Sequence, residues 1–302
     1  MPTRIFVLLI FTISFVYPRF SFAQGLKPED RQLMVKKEDS LVQMADSMFN
    51  AYLPDDRPRF CEKFVKHLVA ALKTENSFNY DFPLLRKKIN LIYPSDKTFR
   101  VFNWFIIGGD HEVRYYGAIQ MPTQSLKLIP LIDHSKEIGE NAEDTLLTAP
   151  KWFGALYYRI VETEADGVRY YNFFGLNSSS LVSNKKVVDP MYFDGNEVVF
   201  GAQIFNVKSE TKKGRIKRYI MEYKKDVQAS LNWDEEAKTI YFDKLVSQSN
   251  DPNRKYTFVP SGQYDGFRWG GGQWNYIQDL IPVQTFKDGE APAPRPLKGQ
   301  MK

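Results

Sequence analysis

The chain of 302 residues is 43% apolar and 25% charged, an ordinary globular composition that excludes a disordered, collagen-like or coiled-coil protein. Its 41 Lys and Arg against 36 Asp and Glu leave a formal charge of +5, too small and too scattered for the footprint of a nucleic-acid binder. An aromatic share of 15%, with 23 Phe and 17 Tyr, points to sheets instead of a helical bundle.

Arg4 precedes an apolar run over residues 5–16, interrupted only by Thr12 and Ser14. A bilayer-spanning helix needs about 20 residues, so this run reads as the core of a secretory signal. Pro18 ends it, and Ser21-Phe22-Ala23 places small residues where cleavage before Gln24 requires them. No later apolar stretch reaches spanning length, and the one cysteine, Cys61, leaves no intramolecular disulfide to form. The expectation is a periplasmic or secreted protein with no transmembrane anchor.

Between residues 29 and 52, Leu33, Met34, Leu41, Met44, Ala45, Met48 and Phe49 recur at spacings of three and four, which predicts an amphipathic helix. A second follows Pro58, with Phe60, Phe64, Val65, Leu68 and Leu72 on one stripe, and ends near Lys73. A third, short helix is predicted over residues 83–91.

From Thr98 the apolar period changes from 3.6 to 2, and strands are predicted to the end of the body. Residues 99–105 and 112–119 flank the turn at Gly108-Gly109-Asp110. Residues 152–161 and 168–176 flank Glu164-Ala-Asp166-Gly167, and residues 185–193 and 197–205 flank Asp194-Gly195-Asn196. Further strands are read at 218–223, 229–233, 239–243, 256–259, 264–269 and 273–277, the last two joined by Gly270-Gly271-Gly272. Glu112-Val-Arg-Tyr-Tyr116 and Gly167-Val-Arg-Tyr-Tyr171 form a short internal echo.

The predicted fold is therefore α+β, with N-terminal helices packed on a large antiparallel β-body, sandwich or barrel-like. The organisation is a signal peptide over 1–23, a helical segment over 24–95, the β-body over 96–286 and a mobile Pro-rich tail over 287–302.

Lys185-Lys-Val-Val-Asp189, Val199-Phe-Gly-Ala-Gln-Ile-Phe205, Ile240-Tyr-Phe-Asp243 and Tyr264-Asp-Gly-Phe-Arg-Trp269 followed by Gly272-Gln-Trp274 resemble a functionally uncharacterised family of exported bacterial proteins. The resemblance covers roughly residues 90–280. It implies a β-rich body and secretion, and no activity.

No His-x-x-x-His, Cys-x-x-Cys or EF-hand loop occurs, so neither a metal nor a cofactor is expected. Gly-x-Ser-x-Gly and Walker motifs are also missing, and no catalytic residue can be assigned. Asp110-His111-Glu112 reads as a solvated hairpin tip, His67 as a surface residue of the second helix, and the basic run over 208–217 as a solvated loop.

The most informative cluster is Tyr264, Phe267, Trp269, Trp274 and Tyr276 on adjoining strands, with Asp265, Arg268 and Gln273 among them. Trp269 follows Phe267 at the spacing of an inward face and is expected in the core. Trp274 stands beside three glycines and is expected to be exposed, so Trp274, Tyr276 and Arg268 are the candidate ligand-binding residues.

The leading expectation is a non-catalytic binding or envelope-associated module, with a glycan or an envelope protein as partner. The alternative is a glycosidase-like hydrolase whose acids sit on scattered strands. Glu222 and Asp243 are the pair considered for that role.

Overall fold

The computed structural model describes residues 25–280, except Asp110, residues 210–212 and the side chain of Glu140. The expected signal peptide over 1–23, the Pro-rich tail over 287–302 and the middle of the basic run at 208–217 lie outside the described residues.

Helix α1 spans Pro28–Asn50, with Pro28 in the first turn and Glu29 and Asp30 complementing its positive end. Met34, Leu41, Ala45 and Met48 are buried along one side, whereas Leu33 faces solvent. Helix α2, Arg57–Leu72, buries Cys61, Phe64, Leu68, Ala71 and Leu72. The third expected helix does not form. Its place is taken by a single 3-10 turn at Leu85–Lys87 and a short strand, β1 (Asn90–Ile92). The turn is held from α1: the buried Glu38 carboxylate accepts the N–H groups of Leu84 and Leu85, each at 2.8 Å, and the Tyr80 hydroxyl at 2.6 Å.

Strand β2 (Arg100–Ile107), β3 (Val113–Gln120) and β4 (Leu128–Ile132) complete the first sheet, in the order β1-β2-β3-β4. The second sheet holds β5 (Leu147–Thr148), β6 (Leu156–Ala165), β7 (Val168–Asn177), β8 (Ser183–Asp194) and β9 (Glu197–Phe200), in the order β5-β9-β8-β7-β6. The third contains β10 (Phe205–Lys208), β11 (Lys213–Ile216), β13 (Leu231–Asp234), β14 (Thr239–Ser247), β15 (Phe258–Gly270) and β16 (Gln273–Ile277). Its order is β11-β10-β16-β15-β14-β13. Strand β12 (Tyr219–Lys224) pairs with β8 beside the second sheet. The fold is α+β with a large, mainly antiparallel β-body.

Alternation along the strands stacks these elements as four layers. On β2, Phe102, Trp104 and Ile106 join the helical residues in one core, while Val101 points the other way, into the core shared by the first two sheets. On β7, Phe173 faces the first sheet and Phe174 the third. The second sheet is thus covered on both faces, which explains why β7 is buried continuously from Tyr171 to Gly175. Tyr115 and Tyr171 both enter the core between the first and second sheets, but the sequence echo aligns Tyr115 with Tyr170 and Tyr116 with Tyr171. Tyr170 and Tyr116 pack against other cores, so the echo is not a structural repeat at these positions.

Several strand boundaries differ from those read in the sequence. The stretch 197–205 divides into β9 and the start of β10, because the chain leaves the second sheet there and enters the third. Residues 258–270 form one long strand, with Gly262 at φ +85 absorbing an irregularity within it. Strands β10 and β16 run parallel, Phe205 beside Trp274, a pairing between segments about seventy residues apart. The Gly-rich turn is a two-residue hairpin connection: Gly271 and Gly272, at φ +61 and +73, supply the left-handed conformations that a type I′ turn needs.

Candidate functional site

A pocket of about 200 Å³ follows the outer edge of β12 where that strand meets β14, β15 and β16. Carboxylates of Glu143, Glu222, Asp243 and Asp265 line it, together with the rings of Tyr219 and Tyr276. Lys185, Lys244 and Lys255 complete its charged wall.

The polar groups are held by their own elements. Asp265, 4% exposed, accepts the Tyr276 hydroxyl through Oδ2 and the Asp279 N–H through Oδ1 at 2.9 Å. Glu143, from the turn that precedes β5, accepts the Ile220 N–H at 2.8 Å. Glu222 accepts the Ser183 hydroxyl at 2.6 Å and lies 3.7 Å from the Lys185 ammonium. Asp243, 8% exposed, accepts the Ser230 N–H through Oδ2 at 2.5 Å. Burial holds the Lys186 ammonium below the usual lysine range, and the charge of Asp243 opposes that shift. Burial, and then the charge of Glu143, raises the Tyr219 hydroxyl well above the tyrosine range, so this phenol stays protonated at neutral pH.

The three residues singled out for ligand binding part company here. Tyr276 lines the pocket. Arg268 is exposed on the opposite face of β15 and reaches Thr239 Oγ1 at 3.4 Å. Trp274 is fully buried, which corrects the exposed ring expected from its glycine neighbours. Trp269 and Trp274 are cross-strand partners and so share one face of the sheet. On that face Trp274 is enclosed by Phe205, Trp233 and Trp269, and Trp269 takes the half-buried position at the rim.

Glu222 and Asp243 do line the same pocket. Glu143 is the contributor that spacing did not reveal, and Asp265, named within the aromatic cluster, was not among the expected ligand-binding residues. The one available signal for Asp265 is its period-2 relation to Phe267 and Trp269, which puts it on the buried face. A second depression, at the Gly271-Gly272 turn, is lined by Glu164, Asp166, Tyr170, Gln203 and Arg215 and includes none of the three candidate ligand residues.

His67 and His111 are exposed. Glu112, drawn below the ordinary carboxylate range to about 2 by Lys136 and Arg114, belongs to a surface ion-pair group. Among the described residues no three His, Cys, Asp or Glu side chains gather so as to hold a metal ion, and no helix is long and apolar enough to cross a membrane. Comparison with known protein families, curated proteins and solved structures finds no match, so the functional reading rests on the residues themselves.

Proposed function

We propose that the protein is a non-catalytic binding module and that the pocket beside β12 is its ligand site. The observation that carries this reading is the fixation of the pocket's acids: Asp265 and Glu143 are engaged by main-chain N–H groups and a tyrosine hydroxyl. Acids held in this way act as positioned acceptors beside aromatic surface, the arrangement of a recognition site. Titration of the full chain with oligosaccharides and peptides, followed by calorimetry and by the amide spectrum of pocket residues, tests it. Binding that leaves β12 and β14 unperturbed would place the site elsewhere.

A second reading is hydrolytic, and its support is the shared position of Glu222 and Asp243 on one pocket. Turnover of a glycoside that is lost in both Glu222→Gln and Asp243→Asn would replace the first proposal with this one.

The chain is further proposed to be exported, with Gln24 as its mature first residue. Arg4, the apolar run over 5–16 and Ser21-Phe22-Ala23 support this. Intact-mass measurement on protein from an exporting host decides between loss and retention of residues 1–23.

A further inference from the structure

The β6–β7 turn, at Asp166-Gly167, meets the β15–β16 turn, at Gly271-Gly272. A Cβ added at Gly272 would stand 3.2 Å from that of Ala165, so the turns abut. Both carry positive φ at their two central residues, the type I′ geometry that continues the strand twist. The second depression lies here and measures about 440 Å³, within the range of small-molecule sites. Ile204, which is buried, lines it and is joined to β16 by the bond from Trp274 N to Ile204 O at 2.7 Å.

The walls supply a ring, an amide and charges of both signs. Tyr170 is half-buried, with the Tyr192 ring packed edge-on against it at 5.7 Å. Burial, then Tyr192 and the charge of Asp166, raise the Tyr170 hydroxyl, which stays a donor at neutral pH. Arg215 donates to Gln273 Oε1, Gln273 Nε2 to Asn275 Oδ1 at 2.9 Å, and Asn275 Nδ2 to Gly270 O at 2.8 Å. That chain of bonds positions the guanidinium beside the glycine turn and leaves its other N–H groups for a ligand. Asp166 and Gln203 are exposed and have no side-chain partner among the described residues.

Charge narrows the choice of ligand. The carboxylates of Glu164 and Asp166 stand against the guanidinium of Arg215, and Glu164 also lies 3.7 Å from Arg169. So small an imbalance selects neither a polyanion nor a polycation. We infer that this depression is a second ligand site, separate from the pocket beside β12, and that its ligand is a neutral saccharide. The Tyr170 ring stacks on the apolar C–H face of a sugar. Asp166, Gln203 and Arg215 share its hydroxyls, each of which donates and accepts at once. Glycine at 271 and 272 opens the main chain to close approach, since no Cβ stands in the way.

The test adds cellohexaose, maltohexaose and chitohexaose, each at about 1 mM, to the isotope-labelled full chain and follows the backbone amides. The inference expects at least one of them to shift Asp166, Gln203, Gly271 and Gly272. Asp166→Gly and Gln203→Ala preserve the fold, because glycine suits the positive φ of that turn and Gln203 is exposed. Each is expected to weaken binding about tenfold, Tyr170→Ala by at least as much and Tyr170→Phe by distinctly less. Shifts at the turns that survive Asp166→Gly, Gln203→Ala and Tyr170→Ala with unchanged affinity overturn the inference. Shifts confined to β12, β14 and β16 also overturn it, while the reading of that other pocket stands. If none of the sugars binds, the saccharide site is refuted, and the pocket beside β12 is decided by its peptide titration.

Discussion

The indole N–H of Trp274, on the third sheet, donates to Oδ1 of Asn172, on the second, at 3.1 Å in the fully buried space between them. Asn172 is oriented for this by its amide nitrogen, which donates to Val161 O at 2.9 Å and to Thr163 Oγ1 at 3.0 Å. One bond therefore ties the aromatic hairpin to the central layer, and its loss leaves a buried acceptor unmatched.

Trp274→Ala is accordingly expected to destabilise the protein by about 3–5 kcal/mol, through lost burial and the cavity left behind. Trp269→Ala, at the half-buried rim, is expected to do so by distinctly less. Trp274→Phe keeps most of the ring volume but abandons Asn172, at a cost of about 1–3 kcal/mol. Urea denaturation of the three variants gives the order. A Trp269→Ala protein as unstable as Trp274→Ala would contradict the assignment of core and rim.

Arg218 and Asp189 form a fully buried ion pair, with Nε and Oδ1 2.6 Å apart. Arg218 also donates to the Ala142 carbonyl, so one side chain joins the second sheet to the turn before β5. Replacing only one member leaves a lone charge in the interior. Arg218→Met is expected to lower stability by about 3–5 kcal/mol, and Arg218→Met with Asp189→Leu by less than that single change. A double variant no more stable than the single one would show that the arginine acts through its carbonyl contacts instead.

Burial raises the Asp189 carboxyl to about 6, against the opposing pull of Arg218. In the unfolded chain the group returns to the ordinary range, near 4. The folded protein thus holds this proton more tightly, and the resulting stability is fully present below about pH 4 and is lost as the pH rises through about 6. Urea midpoints measured between these limits should contain a component that falls with rising pH in the unaltered protein and is missing in Asp189→Asn. An identical pH dependence in both proteins would refute the shift.

Glu38 is the single acceptor for two main-chain N–H groups and one hydroxyl. Glu38→Ala is expected to cost about 3 kcal/mol or more, because three buried donors lose their partner together. Hydrogen exchange should localise the loss to the amides of Leu84 and Leu85, ahead of the core of α2. Uniform exchange across the whole chain would instead indicate global destabilisation alone.

Cys61 is buried under Trp104, whose indole N–H lies 3.4 Å from Sγ, and burial raises its thiol above the usual range. The folded protein should react negligibly with a disulfide reagent at mild alkaline pH, and with one equivalent once unfolded. Rapid labelling of the folded protein would show that the helices part from the first sheet on that timescale.

Helices α1 and α2 were legible because an apolar stripe at spacings of three and four, opened by a proline, is local information. The hairpin turns at Asp166-Gly167 and Gly271-Gly272 were legible for the same reason, since positive φ selects its residues. The segment after Pro83 misled the reading: Leu84, Leu85 and Ile89 imitate a helical stripe, but a carboxylate from α1 captures the N–H groups of a single turn. Trp274 misled it through its glycine neighbours, because burial of that ring depends on β10 arriving in parallel and on Asn172 crossing from another sheet. Of the pocket, Tyr276 and the pair Glu222 and Asp243 stood in the sequence as separate suggestions. Their meeting on one wall, with Asp265 and Glu143, follows from β12 lying at the edge of the second sheet against three strands of the third. Periodicity and turn chemistry act over a few residues and so decide elements, whereas layer order, strand neighbours and the pocket arise from contacts between distant segments, which only the packed chain brings together.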